Sequence, residues 1–238
     1  MIRLDKYLSD MGIGTRSEVK QHLKKGMVTV NGAVEKRPER KIATEQDQVS
    51  FKGVPVAYVT YEYYMFHKPA GCVTATNDKL HRTVMDYLNE TARKDLFPVG
   101  RLDMDTEGLL LITNDGPLSH RLLSPAHHVE KTYYAKVEGH VTKEDTARFA
   151  EGVNIGDETL TAPAKLWILG YSPEDNTSEI QLTITEGRYH QVKRMFESVG
   201  KRVFYLKRLS MGGVALDEAL KPGEYRPLSP DELRKLKQ

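Results

Sequence analysis

The sequence predicts an α+β fold in which a small N-terminal unit precedes a larger, strand-rich unit. Three observations support this prediction. Short β-like runs recur from residue 63 onwards, helical patterns fall between them at irregular intervals, and no internal repeat or regular strand–helix alternation is present. The first 60 residues differ, because they open with helical periodicity and an excess of basic residues. We expect domains at 1–58 and 59–238.

Composition places the chain among globular proteins. Of its 238 residues 39% are apolar and 29% are charged, and the mean hydropathy is -0.52. A single cysteine, Cys72, excludes an intrachain disulfide and any zinc or iron–sulfur site built from several cysteines. No apolar run approaches the roughly 20 residues that span a bilayer, and the first residues lack the apolar core of a signal peptide. We therefore expect a cytoplasmic protein without a membrane segment.

Two helices and a hairpin are predicted in the first 60 residues. Residues 4–11 carry apolar side chains at helical spacing. Thr15 and Glu18 have the spacing of a capping box, so a second helix should begin near residue 16 and stop at Gly26. Asn31-Gly32 is a strong two-residue hairpin signal, and residues 49–56 supply further strand.

Positive charge is concentrated in two regions, although the net charge is only +2. Residues 1–60 hold eleven Lys and Arg against seven Asp and Glu, and residues 186–208 hold seven against two. On the second helix Arg16, Lys20 and Lys24 are four residues apart, which aligns them on one face. This basic stripe (Arg16, Lys20 and Lys24) predicts phosphate contact; the alternative is a solvated helix face.

Beyond residue 62 the patterns predict a succession of strands and five helices. Strands are expected at Tyr63–His67 and at 71–76, 108–113, 132–138, 163–169, 179–185 and 202–207. Helices are expected near 83–89, 116–123, 142–151, 191–199 and 230–237. The last should begin with Ser229 as N-cap and Pro230 in the first turn.

A polar loop before a buried strand is the first candidate for chemistry. Leu109–Ile112 is a continuous apolar run, and Arg101, Asp103, Asp105 and Glu107 precede it. The spacing copies the opening of a calcium loop but lacks the later bidentate glutamate, so we reject calcium. A capped turn, a glycosidase carboxylate pair and a metal-dependent nuclease remain open from spacing alone.

Two further segments add a cation and an aromatic side chain. In the helix near 191–199, Lys193 flanks the apolar stripe and can reach a carboxylate, whereas Arg194 points towards solvent or phosphate. His190 has no second metal ligand at a suitable spacing. Tyr133 and Tyr134 lie on opposite faces of a predicted strand, so one is expected in the core and the other available for stacking.

These segments resemble known families. RLDKYL, TRSEVKQHLKKG and VTVNG, within residues 2–50, resemble the S4 RNA-binding domain. GRLDxDTEGLLL, EKTY and EGRYHQVKRMF, in this order, resemble the RsuA-type pseudouridine synthases, and so do HKPAG, SHRLLSP and PGEYRPLS. The resemblance implies an S4 domain of αL type, followed by a catalytic domain built on a mixed, largely antiparallel β-sheet with flanking helices.

The resemblance also implies a reaction and its residues. The enzyme would isomerise one uridine to pseudouridine in small-subunit (16S) ribosomal RNA, with no metal, nucleotide or other cofactor. The essential aspartate falls on Asp103 and the aromatic partner on Tyr133. The basic partner of the aspartate falls on Lys193, where many relatives have arginine.

Ribosomal RNA is the expected partner, bound by a monomer. The residues expected to bind it are Arg101, Arg188, Arg194, Arg3, Arg16, Lys20 and Lys24. Two alternatives remain at this point: a synthase acting on large-subunit (23S) RNA, and a non-catalytic RNA-binding or ribosome-assembly factor.

Overall fold

A computed structural model describes all 238 residues as two compact units. The first comprises Met1–Glu62 and Asn89–Leu96, and the second comprises Tyr63–Leu88 and Phe97–Gln238. The α+β class is confirmed. No sequence pattern indicated the return of residues 89–96 to the first unit. Arg93 anchors this segment, because its buried guanidinium donates to Asp95 and to the Val59 carbonyl.

The first unit packs two helices and six short strands around one apolar core. The helices are α1 (Leu4–Asp10) and α2 (Arg16–Lys24). The strands are β1 (Ile2–Arg3), β2 (Val28–Val30), β3 (Ala33–Val34), β4 (Lys41–Ile42), β5 (Val49–Phe51) and β6 (Val54–Pro55). The core side chains are Leu4, Tyr7, Leu8, Val19, Leu23, Val28, Val30, Ile42 and Val49.

The local signals in this unit are confirmed. Thr15 and Glu18 form the predicted capping box, and Asn31-Gly32 turns between β2 and β3 with positive φ at both residues. Helix α2 ends at Lys24, and Gly26, with φ +69°, follows its C-cap Lys25 and stops the helix as predicted. Residues 49–56 form two strands, because a turn at Lys52-Gly53, with positive φ at both residues, folds β6 back on β5.

The second unit is built on a mixed, largely antiparallel sheet of nine strands, as expected. Its central order is β11-β12-β10-β13-β9-β7-β15, and only the β13–β9 pair is parallel. The strands are β7 (Tyr63–Lys68), β8 (Phe97–Pro98), β9 (Glu107–Thr113), β10 (Lys131–Glu138), β11 (Lys165–Ser172), β12 (Thr177–Ile184), β13 (Arg202–Met211), β14 (Val214–Ala215) and β15 (Tyr225–Pro227).

Four α-helices flank this sheet, and none in the chain is long and apolar enough to cross a membrane. They are α3 (Gly116–Leu123), α4 (Lys143–Glu151), α5 (Gln191–Glu197) and α6 (Pro230–Lys237). Ser229 caps α6 as predicted. Two predictions were wrong: the expected helix at 83–89 is a single 3-10 turn, Val84–Tyr87, and the expected strand at 71–76 contributes only an isolated bridge from Val73 to Thr83.

One glycine allows β9 and β13 to approach each other where their parallel pairing begins. Gly108 has φ +103°, and a Cβ at this position would lie 2.2 Å from the carbonyl oxygen of Arg208. Only a residue without a Cβ fits such a backbone and such a separation. This close approach brings the loop before β9 next to the centre of the sheet.

Replacing Gly108 by alanine should destabilise the protein strongly. The new methyl group would push β13 away from β9 and force an unfavourable φ, so we expect a loss of about 3 kcal/mol in the free energy of unfolding. Gly170→Ala, in β11, is the matched control, because a Cβ there would have no atom within 4 Å and the φ of Gly170 is not in the left-handed region. Urea denaturation of both variants measures the difference. Equal stabilities would show that a side chain at residue 108 does not strain the close approach.

Candidate active site

Three neighbouring strands and one helix bring the predicted residues together in the second unit. Strands β10, β13 and β9 are adjacent at the centre of the sheet. Asp103 lies in the loop that leads into β9, and Tyr133 lies on β10. Lys193 lies on α5, which immediately precedes β13 and packs against it. Three segments that are far apart in the sequence therefore meet at one edge of the central strands.

Asp103 lies between two basic side chains. Lys193 Nζ is 3.1 Å from its Oδ2, and His190 Nε2 is 3.4 Å from its Oδ1. The Asp103 side chain is 24% exposed, so a ligand can reach it while most of the surrounding water is excluded. The contact with Lys193 agrees with the sequence expectation that a cation at the flank of α5 reaches inward to a carboxylate.

Lys193 is shared with a second carboxylate, which the sequence did not indicate. Its Nζ donates to Asp105 Oδ1 at 2.7 Å and Oδ2 at 2.9 Å, closer than to Asp103. Partial burial disfavours the charged form of both groups, but their hydrogen bond and mutual attraction favour it more strongly. The pKa of Lys193 is therefore raised and the pKa of Asp105 is lowered. Since the Asp105 side chain is 71% exposed, water screens its attraction to Lys193.

The third carboxylate of the loop has a different partner. Glu107 Oε2 accepts a hydrogen bond of 2.7 Å from the Tyr205 hydroxyl on β13. Burial and this carboxylate raise the pKa of Tyr205, so the phenol stays protonated and keeps donating. Glu107 therefore helps to hold the start of β9 against β13, and Asp103 is the carboxylate of the three that faces the cavities described below.

A buried lysine binds the backbone of the loop that carries Asp103 and Asp105. Lys68, at the end of β7, is fully buried, and its Nζ donates to the carbonyl oxygens of Pro69, Met104 and Thr106. Burial lowers the pKa of Lys68. Two of these carbonyls belong to the residues on either side of Asp105, so the ammonium group fixes the backbone that carries Asp103 and Asp105.

Two adjoining depressions open beside Asp103. The smaller, of about 70 Å³, is lined by Asp103, Thr106, Tyr133 and Lys193 together with apolar side chains of Leu102, Ile184, Val192 and Leu206. Thr106 Oγ1 is buried at this depression without a hydrogen-bond partner. The larger, of about 740 Å³, also includes Asp103 and Tyr133 and extends past Arg101 and Tyr189.

Of the residues expected to bind RNA in this unit, Arg101 is the most accessible. It is exposed, lines both depressions and takes part in no ion pair. Arg188 and Arg194 are engaged within the protein instead. Arg188 donates to the carbonyls of Thr159 and Leu160, and Arg194 pairs with Asp157 at 2.6 Å. They hold the loop around residue 157, so their contact with RNA stays a prediction.

The residues of the first unit form a separate basic surface. The basic stripe (Arg16, Lys20 and Lys24) is exposed along α2 and takes part in no ion pair, while Val19 and Leu23 of the same helix are buried. Arg3 differs, because its guanidinium makes two hydrogen bonds to the buried Asp5. Three of the four predicted cations in this unit are therefore free to meet phosphate.

Potential metal ligands do not cluster in the chain. No group of three or more His, Cys, Asp or Glu side chains is arranged to hold a metal ion. Cys72 is buried, and burial raises the pKa of its thiol. His190, which the sequence presented only as a possible ligand, contacts Asp103 instead.

Comparison with known proteins identifies the family. Residues 62–198 match the family model described as RNA pseudouridylate synthase, and residues 2–49 match the S4 domain. The chain belongs to the RNA pseudouridylate synthase family. It is 47% identical to an uncharacterised RNA pseudouridine synthase of Bacillus subtilis, over 99% of this chain and 98% of that protein. It is 46% identical to the ribosomal small subunit pseudouridine synthase A of Yersinia pestis, over 98% and 97% of the two chains.

A solved structure supports the same assignment for the whole chain. A crystal structure of a pseudouridylate synthase matches with a TM-score of 0.69 and 40% identity, covering 99% of this chain and all of the other. The resemblance to RsuA-type synthases is thus confirmed, and this synthase is an isomerase with an N-terminal S4 domain. The alternative of a non-catalytic factor is set aside, whereas the cytoplasmic location and the monomeric state stay predictions.

Sequence reasoning missed two features next to Asp103 in the synthase. His190 adopts a left-handed conformation with φ +48° immediately before α5, and its ring stacks on Tyr189 at 3.8 Å. That backbone turn directs the imidazole towards Asp103. Neither residue has a periodic pattern around it, so no signal in the sequence predicted this orientation.

Proposed function

We propose that the synthase converts a uridine of small-subunit ribosomal RNA to pseudouridine, with Asp103 as the catalytic carboxylate. One observation carries the assignment of the residue: Asp103 alone of the three loop carboxylates lines both depressions, and it contacts the partly buried cation Lys193 at 3.1 Å. Asp105 is directed to solvent and Glu107 is bonded to Tyr205. Only Asp103 is therefore placed to meet a nucleoside.

The reaction rearranges one nucleoside, so its atoms balance without a co-reactant. The N1–C1′ bond breaks, the uracil turns, C5 joins C1′, and the proton on C5 passes to N1 through the solvent or a side chain. Asp103 can open the sequence in two ways, by attacking C1′ or by removing the proton from C2′ to leave a glycal. Both routes need a carboxylate at this position, and the Lys193 ammonium contacts it at 3.1 Å.

Tyr133 and Thr106 supply the surroundings for the base. The target base must leave its stack to reach Asp103, and an aromatic face compensates for the stacking that it loses. Tyr133 is 7% exposed and lines the smaller depression beside apolar side chains. The free Thr106 hydroxyl in the same depression can donate to or accept from a polar edge of uracil. Tyr133 is thus the stacking partner in this proposal.

Two observations support small-subunit ribosomal RNA as the substrate: the names of the relatives and the presence of the S4 domain. The relative from Yersinia pestis is named for the small subunit and matches over nearly the full length of both chains. The exposed basic stripe on α2 suits a large, folded RNA, because it provides phosphate contacts without base specificity. Large-subunit RNA is the competing substrate.

Chemical mapping of pseudouridine tests this function. Ribosomal RNA is compared between cells that contain and cells that lack the synthase, and purified synthase is then added to the unmodified RNA. We expect one uridine of the small-subunit RNA to lose its modification in the deletion strain and to regain it in vitro. A missing modification in large-subunit RNA instead would contradict the proposed target while leaving the chemistry intact.

Lys193 should be needed for turnover through its charge. We expect Lys193→Met to lower kcat by about 100-fold or more, because Asp103 loses the cation that contacts its Oδ2 at 3.1 Å and orients the carboxylate. Lys193→Arg should recover most of the activity, and Lys207→Met, on β13, controls for lost charge. Equal losses of kcat in Lys193→Met and Lys207→Met, or no recovery of activity in Lys193→Arg, would contradict this role of the Lys193 charge.

A further inference from the structure

The floor of the larger depression holds two buried cations that the proposed reaction does not use. Lys131 on β10 is 5% exposed and Arg208 on β13 is 2% exposed, and both line the depression beside Asp103. Tyr133 is the register partner of Arg208, and Lys131 lies two residues before Tyr133 on the same face of β10. The topology thus places both cations next to the proposed stacking residue.

Neither cation has a carboxylate partner. Arg208 Nε donates to the Leu109 carbonyl at 2.7 Å, while its Nη2 is buried without any hydrogen bond. Lys131 Nζ donates only to the Val129 carbonyl at 3.0 Å. Glu186 is the carboxylate with the strongest influence on Lys131, but its oxygens accept from Arg188, Gln191 and Ala162.

Two buried charges of the same sign are unfavourable without a counter-ion. Burial, together with the neighbouring charge of Arg208, lowers the pKa of Lys131 to about 8. Taking a charge out of water costs free energy unless an opposite charge or several hydrogen bonds compensate. An anionic ligand in the larger depression would provide that compensation for both side chains.

We propose that Lys131 and Arg208 form a phosphate subsite, which binds a phosphodiester group of the RNA strand beside the nucleotide at Asp103. This inference rests on the proposed function for the position of the strand. A phosphodiester fits better than charge developing on the uracil, because the two cations line only the larger depression, whereas Thr106 and Lys193 line only the smaller one. Arg208 has one buried guanidinium nitrogen without a partner, and a phosphate oxygen is among the acceptors that such a group binds most strongly.

The subsite would act by orientation. Its two donors are fixed by a β-sheet and, for Arg208, by the hydrogen bond from Nε to Leu109. A phosphate held there fixes the backbone next to the target nucleotide, and so places its ribose against Asp103. Lys131 and Arg208 would thus bind the RNA backbone, in addition to the exposed cations that the sequence predicts as RNA contacts.

Inorganic phosphate, added to the full-length protein at constant ionic strength, tests the subsite without RNA or turnover. We expect the melting temperature of the wild type to rise with phosphate, and Lys131→Met to weaken the apparent affinity by about tenfold or more, the effect of losing a charge-assisted hydrogen bond. Lys207→Met removes the same charge from β13 and should behave as the wild type. Equal phosphate binding by the wild type and Lys131→Met would overturn the proposal.

RNA with one neutral methylphosphonate linkage, moved stepwise along the strand around the target uridine, provides the second arm. A methylphosphonate at one particular position should weaken RNA binding by the wild type about tenfold. The same substitution should weaken RNA binding by Lys131→Met less than about twofold, because the subsite has already lost one cation. If no methylphosphonate position weakens wild-type binding more than the others, the proposal fails. This outcome does not depend on whether Lys131→Met folds. If the mapping experiment finds no modified uridine, the proposed function fails, while the phosphate arm still decides whether the subsite exists.

Discussion

Asp103→Asn should fold and bind RNA but form no pseudouridine. The substitution keeps the volume and removes the only loop carboxylate that lines both depressions. Turnover should fall by at least about 10⁴-fold, because neither attack on C1′ nor proton removal from C2′ is available to an amide. Folding should persist, since Leu109–Ile112 is buried and untouched. Tritium release from RNA labelled at C5 of uridine measures turnover, and a titration with the same RNA measures binding.

Asp105→Asn and Glu107→Gln are the matched controls. Asp105 holds Lys193 from the solvent side, and Glu107 accepts from Tyr205, so neither contacts the space in which we place the nucleoside. We expect each to retain turnover within about tenfold of the wild type. Substantial turnover in Asp103→Asn together with its loss in Asp105→Asn would transfer the catalytic role to Asp105.

Charge reversal of the basic stripe should remove most RNA affinity without affecting the catalytic unit. Changing Arg16, Lys20 and Lys24 to glutamate removes three cations that face solvent and are in no ion pair. Each phosphate contact contributes about 0.7–0.9 to the slope of log affinity against log salt, so the slope should fall by about two to three. We expect binding at 0.1 M salt to weaken by about 100-fold or more.

A second triple variant separates the stripe from net charge. Lys36, Lys41 and Lys52 are also exposed in the same unit but lie outside α2, and their reversal changes the net charge by the same amount. Its effect on binding should be much smaller. Filter binding over a series of salt concentrations gives both slopes. If the two variants lose affinity alike, the stripe is not a specific anchor for RNA.

Local chemistry along the chain determined most of the secondary structure. Thr15 and Ser229 cap their helices as the sequence predicts, because a capping side chain and its partner are three residues apart and need no tertiary contact. The hairpin at Asn31-Gly32 follows from the ease with which both residues adopt positive φ. The buried run Leu109–Ile112 and the family motifs predicted the roles of Asp103, Tyr133 and Lys193 from the sequence.

Long-range packing decided the features that local patterns do not contain. Residues 71–76 have β-like composition, but only Val73 forms a β-bridge, to Thr83, so the segment is not a strand. Residues 89–96 join the first unit through the buried guanidinium of Arg93, a contact over more than thirty positions to Val59. Arg194 lies opposite the apolar stripe of its helix, as expected, yet Asp157 from a distant loop pairs with it.

The sequence alone predicted which residues carry the chemistry, and the tertiary structure decided what surrounds them. The types and order of Asp103, Tyr133 and Lys193 are a property of the motifs. The sharing of Lys193 with Asp105 depends on how α5 packs against the loop before β9. The unpaired Lys131 and Arg208 depend on the register of β10 with β13. The charges and hydrogen bonds around such groups are supplied by other strands, and no pattern in one segment contains that information.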